Sequence, residues 1–89
     1  MKTRTPHTFQ LHNRGPRHHV VQLCGSFDNW EKRHEMQFDH YANQWFTTVH
    51  LPQGEYNYKY VIDNTSWVVN EEEPTMKDSA GNVNNYVRA

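Results

Sequence analysis

Two tryptophans and a lysine are the side chains whose type and setting suit ligand binding. Trp30 closes the run Gly25-Ser26-Phe27-Asp28-Asn29-Trp30 and is followed by Glu31 and Lys32. A tryptophan taken alone is most often a core residue. One flanked by polar residues on an exposed loop is more often a binding group. Trp67 has the same setting, directly after Asp63-Asn64-Thr65-Ser66. The apolar C–H face of a pyranose can lie flat on an indole while its hydroxyls point sideways to polar groups. Lys59 by itself reads as a solvated residue on an outer sheet face, but its ammonium offers three donors to such hydroxyls. Asn84 and Asn85, in Gly81-Asn82-Val83-Asn84-Asn85, read first as turn residues. An asparagine amide also donates and accepts at once, which matches a vicinal diol.

Other chemistries fit less well. A phosphate-cradling Cys-x5-Arg loop built on Cys24 would need arginine where Trp30 stands, so Cys24 is expected to be a small core residue. Seven histidines invite a metal reading. His18 and His19 are adjacent and point to opposite strand faces, and no H-x3-H or C-x2-C spacing occurs, so no metal or other cofactor is expected. A paired-carboxylate glycosidase needs a deep cleft that so small a chain hardly provides. Glu71-Glu72-Glu73 reads as a solvated turn. The glycosylation sequon Asn64-Thr65-Ser66 matters only in a secreted chain.

The element that must position these residues is Gly54-Glu55-Tyr56-Asn57-Tyr58-Lys59-Tyr60-Val61-Ile62-Asp63, opened by Pro52 and Gly54 and closed by Asp63-Asn64. Its aromatic and β-branched content reads as a central strand. Alternation puts Tyr56, Tyr58, Tyr60 and Ile62 on a core face and Asn57, Lys59, Val61 and Asp63 on the other. Around it, strands are expected at Thr8–His12, His18–Cys24, Glu35–Phe38, Gln44–Leu51, Ser66–Val69 and Asn82–Arg88, with Met76 in a further short strand or loop. Met1 to Pro6 is expected to be a loose tail. No window shows helical periodicity. About seven short strands with regular turn signals indicate an all-β sandwich or barrel.

At 89 residues the chain is one domain, with only 35% hydrophobic residues but 13% aromatics. Aromatics bury large areas each, so a thin two-layer core is feasible. A net charge of −1 leaves no basic excess to neutralise phosphates, against a nucleic-acid partner. No apolar run is long enough for a membrane span, and Met1 to Gln10 lacks the apolar stretch of a signal peptide. One cysteine fits a reducing compartment, and an intracellular location is expected.

Four segments together resemble the glycogen- and starch-binding domain family, carbohydrate-binding module family forty-eight. They are Val21 to Trp30, Leu51 to Asp63, Glu73-Pro74 and Gly81 to Asn85. In motif form they read G-S-F-x-x-W, L-P-x-G-x-Y-x-Y-K-[FY]-x-[VI]-D, E-P and G-x-x-N-N. The family occurs in the β subunit of AMP-activated protein kinase, in plant glucan phosphatases and in starch-branching and debranching enzymes. The resemblance covers residues 17–89 and implies an immunoglobulin-like (early-set) antiparallel β-sandwich there, with residues 1–16 a tail and candidate first edge strand. It implies a non-catalytic module that binds α-1,4-linked glucan and targets a catalytic domain or kinase complex to it. The alternative is a docking domain of a kinase or phosphatase assembly with a degenerate sugar site. By the same resemblance Trp30 and Trp67 are the stacking tryptophans, and Lys59 and Asn84 contact sugar. Asn82, where threonine is frequent, can still hydrogen-bond. Two departures bear on binding. Ala80 stands where a leucine often precedes the glycine, which removes an apolar wedge and implies weaker binding. The usual Asp-Gly-x-Trp turn is one residue longer here, and one extra residue in a strict strand flips the side chain. The loop must absorb it for Trp67 to stack.

Overall fold

A computed structural model describes residues 3–89. Among them nine strands form: β1 (Arg4–His12), β2 (Val21–Gly25), β3 (His34–Glu35), β4 (Gln37–Asp39), β5 (Gln44–Pro52), β6 (Glu55–Ile62), β7 (Ser66–Val68), β8 (Thr75–Lys77) and β9 (Val83–Arg88). The smaller sheet runs β1-β5-β4, and the larger runs β3-β2-β6-β9-β8 with β7 also on β6. Every pairing is antiparallel. The two sheets enclose Phe9, Leu11, Val21, Leu23, Met36, Trp45, Leu51, Tyr58 and Tyr60. This is an immunoglobulin-like β-sandwich, with β6 central as its composition predicts.

Aromatics supply much of this thin core. The Phe9 and Tyr58 rings meet edge to face with centroids 4.8 Å apart, and Tyr58 meets Tyr60 the same way at 5.8 Å. Trp45, the third tryptophan, is buried on β5, and its indole N–H donates to Asn13 Oδ1. Burying an indole is favourable only with that N–H satisfied.

The strand count exceeds the expected seven for identifiable reasons. The stretch expected as one strand over Glu35–Phe38 is divided between the sheets. His34–Glu35 pairs with β2, Gln37–Asp39 pairs with β5, and buried Met36 stands at the crossing with its N–H on the Val21 carbonyl. The expected loose tail lies partly within β1. Arg4 to Pro6 pair with His50 to Pro52, so a long partner strand holds a segment whose own composition is polar; Met1 and Lys2 lie outside the described residues. β2 begins three residues later than expected. The N–H groups of His19 and Val20 go instead to the Asp63 carboxylate, at 2.9 and 3.0 Å.

Candidate functional site

Trp67 reaches its face through the β6–β7 hairpin. Ile62 pairs with Ser66, Val61 with Trp67 and Tyr60 with Val68. The loop is therefore Asp63-Asn64-Thr65. Asp63 and Asn64 take positive φ of 50° and 62°, which short polar side chains tolerate, and the Thr65 N–H donates to the Ile62 carbonyl. The extra residue is confined to this turn and the register of the strands is undisturbed. Residues directly opposite in an antiparallel pair share a side, so Trp67 stands on the face of Val61 and Lys59, turned away from the Tyr58–Tyr60 core. Trp67 remains 47% exposed. The turn is anchored by Asp63, whose carboxyl is held below its ordinary value chiefly by the Val20 N–H, with the His19 N–H and the charge of His18 adding to it.

Lys59 pairs with Cys24 on β2. On the opposite edge of β6, β9 covers Glu55 to Tyr58 and β7 covers Tyr60 to Ile62. The two strands thus meet end to end beside Lys59. Asn85 stitches that junction. It is fully buried; its Oδ1 accepts from the Asn70 N–H at 2.7 Å, and its Nδ2 donates to the Asn70 and Pro74 carbonyls at 2.8 and 3.2 Å. Asn84 alternates to the other side of β9, the Lys59 side, and pairs with Met76 on β8. Its amide makes no hydrogen bond among the described residues, although the residue is 8% exposed. The adjacent asparagines therefore do different work: Asn85 is a clamp, and Asn84 leaves its donor and acceptor uncommitted. Asn82 is exposed in the β8–β9 turn, where its backbone N–H is held by the Asp78 carboxylate at 2.9 Å.

Trp30 comes from a loop. After β2 the chain makes one 3-10 turn at Ser26–Asp28, then Asn29 and Trp30 both adopt left-handed φ, 58° and 63°. The Trp30 N–H closes back on the Gly25 carbonyl at 2.9 Å. Phe27 folds over Gly25 so closely that a Cβ there would meet its ring at 2.2 Å, which explains glycine at the head of the G-S-F motif. The far end of the loop is tied by Asp28 Oδ2 and His34 Nε2, 2.9 Å apart. Trp30 is 38% exposed. Three residues on, the Arg33 guanidinium stands 5.6 Å from the centre of the Trp67 ring, so this loop reaches the β7 indole.

The sheet thus brings Lys59, Trp67 and Asn84 to one face, Trp30 stands on the loop that overlaps that face, and Asn82 stands at its hairpin end. Two features escaped sequence reading. Arg33 lies in no periodic pattern and carries no signal in its neighbours. Glu73, grouped with a solvated acidic turn, instead accepts the Tyr60 hydroxyl at 2.6 Å, and burial pushes its carboxyl upward. The same burial, with Glu73 beside it, pushes the Tyr60 hydroxyl far up. Cys24 is buried, but its pairing with Lys59 puts it on the outer side of the larger sheet, apart from the cluster between the sheets. Burial raises its thiol. Among the described residues no three His, Cys, Asp or Glu side chains converge as a metal site would need, and no helix is long and apolar enough to cross a membrane.

The family described as the glycogen recognition site of AMP-activated protein kinase matches residues 5–89, and the chain belongs to that carbohydrate-binding family. It is 34% identical over 68 residues to the 5'-AMP-activated protein kinase subunit beta-1 of Sus scrofa, covering 76% of this chain and 52% of that one. It is 34% identical over 70 residues to the amyloplastic phosphoglucan phosphatase DSP4 of Castanea sativa, covering 78% of this chain and 18% of that one. The human beta-1 subunit gives 34% over 68 residues, 76% of this chain and 24% of that one. The chain spans about half the length of the pig sequence and a quarter or less of the other two.

Proposed function

We propose that this chain is a non-catalytic module that binds α-1,4-linked glucan, whether starch, glycogen or malto-oligosaccharide, on the outer face of its larger sheet. Glucose rings stack on Trp67 and Trp30. Lys59 donates to the hydroxyl edge, and the amides of Asn84 and Asn82 donate and accept there. The reading is carried by the pairing of Val61 with Trp67, because it sets a half-exposed indole beside a lysine and an uncommitted amide. Hydrogen bonds to sugar replace hydrogen bonds to water, so each adds little net. Affinity for short oligosaccharides is then about 10 μM to 1 mM, and display of many modules or many sites on a polymer raises the apparent grip. The module would direct a larger enzyme or kinase assembly to the polymer, in the cytoplasm or a plastid, as expected for relatives named as a kinase subunit and a phosphoglucan phosphatase.

The test is intrinsic fluorescence during titration with maltoheptaose or β-cyclodextrin, together with co-sedimentation on starch. Two indoles are exposed and the third is buried, so ligand should produce a saturable emission change. No emission change and no co-sedimentation would favour the second reading, a protein-docking module with a degenerate sugar site. Ala80, which offers no apolar wedge beside Gly81, is the observation that supports that alternative.

A further inference from the structure

We infer that Arg33 is a positioning residue for the sugar site: its guanidinium holds the Trp67 indole ready for a glucose ring. This rests on the glucan reading of that face and adds how one of its stacking rings is fixed. The β2–β3 register pairs Gln22 with Glu35 and Leu23 with His34. Continued by one residue, it sets Arg33 level with Cys24. One row across the outer face is then Arg33, Cys24, Lys59, and the next is Glu35, Gln22, Val61, Trp67. Arg33 flanks β2 and Trp67 stands beyond β6, so three strand spacings, about 14 Å, part their backbones across the sheet. Yet the guanidinium carbon lies 5.6 Å from the centre of the Trp67 ring. The two side chains therefore lean toward each other over β2 and β6.

What lies beneath them agrees. Cys24 and Val61 are fully buried, although both face away from the core on the outer side of the larger sheet. Arg33 and Trp67 flank that pair, and an arginine stem covers apolar surface while its charged head stays wet. Trp67 has little other support. β7 is three residues long and pairs with β6 alone. Among the described residues no aromatic ring packs against this indole, and it lies outside the core cluster. Arg33 in turn enters no ion pair among the described residues, although Glu35 shares the face. A guanidinium over an indole is attracted by the ring's quadrupole, so the contact does not depend on the net charge of the face. With the cation on one side of the ring, the other side is left for sugar. Fixing the ring before ligand arrives lowers the ordering cost of binding.

The experiment is calorimetric titration of the parent, Arg33→Met and Arg33→Lys with β-cyclodextrin, and near-ultraviolet circular dichroism of each protein before ligand is added. Methionine keeps an unbranched stem over Cys24 and Val61 but no cation, whereas lysine keeps a cation. The band that Trp67→Ala removes from the parent spectrum is the signal of a fixed Trp67 indole. Arg33→Met should lose at least about half of that band and bind about threefold to fivefold more weakly. Arg33→Lys should keep most of the band and bind within about twofold of the parent. Parent-like affinity in Arg33→Met overturns the inference. So does weaker binding with the band intact, which would mark Arg33 as touching the sugar itself, and so does tighter binding, which would mark the guanidinium as an obstacle. An Arg33→Lys protein as impaired as Arg33→Met overturns it as well, because the cation would then be irrelevant. Each of these results leaves the glucan reading standing, whereas a parent that does not bind β-cyclodextrin overturns both.

Discussion

Trp67 stands directly across from Val61 on the neighbouring strand, and that pairing decides which side of the larger sheet carries the indole. The three-residue turn before it leaves the pairing intact because Ile62 and Ser66 still close the hairpin. Deleting Thr65 should therefore be tolerated. Asp63 and Asn64 already hold the paired positive φ values of a two-residue hairpin turn. The deletion variant should fold and keep its affinity for β-cyclodextrin within about threefold, read by calorimetric titration. A folded variant that has lost binding would show that the longer turn sets the indole's position.

Trp30 sits at a φ of 63°, where a bulky residue carries strain on the order of 1–3 kcal/mol. Glycine is free of that cost. Trp30→Gly should therefore be more stable than Trp30→Ala by about 1 kcal/mol in urea unfolding, while both lose glucan affinity equally. A Trp30→Gly variant less stable than Trp30→Ala would place no strain at this position.

The asparagine pair offers a separation of fold from binding. Asn85→Ala strands the buried N–H and carbonyl of Asn70, and should cost about 2–4 kcal/mol. Asn84→Ala should move stability by less than about 1 kcal/mol and weaken glucan binding severalfold. Chemical denaturation and calorimetric titration of the two variants check both halves. Equal destabilisation by the two substitutions would contradict the division of labour.

How much of this was readable beforehand follows from the range over which each signal acts. Tyr58, Tyr60 and Lys59 declared their faces because alternation within one strand is local. The same holds for Trp45 to Leu51 on β5. The crossing at Met36 was not readable, since alternation across Glu35 to Phe38 is identical whether the strand stays in one sheet or changes partner. β1 from Arg4 to Pro6 was missed because its partner, 40 or more residues later, supplies the order. Arg33 and Glu73 owe their roles to contacts with Trp67 and Tyr60, brought near only by folding. Of the site residues, Trp67, Lys59 and Asn84 are gathered by strand register, while Trp30 and Asn82 depend on loops whose course composition does not dictate.

Asp63 makes a prediction about acid. Its carboxyl is held below the ordinary value of 3.8 by the N–H groups of Val20 and His19. The folded state thus binds that proton less readily than the unfolded chain. The stability it contributes is full above 3.8 and is lost as pH falls through the depressed value below it. Urea midpoints measured from about pH 5 down to about pH 2.5 should fall more steeply for the parent than for Asp63→Asn. Parallel profiles would remove Asp63 as the acid-sensitive anchor of the turn.

The account turns on whether the indole on the Lys59 face is covered by sugar, and Trp67→Ala tests it most directly. Calorimetric titration of parent and variant with β-cyclodextrin should show at least about a tenfold loss, roughly 1.4 kcal/mol. The variant should meanwhile keep its cooperative unfolding, because the side chain it removes lies outside the core. A folded Trp67→Ala protein that binds β-cyclodextrin as tightly as the parent would contradict the account.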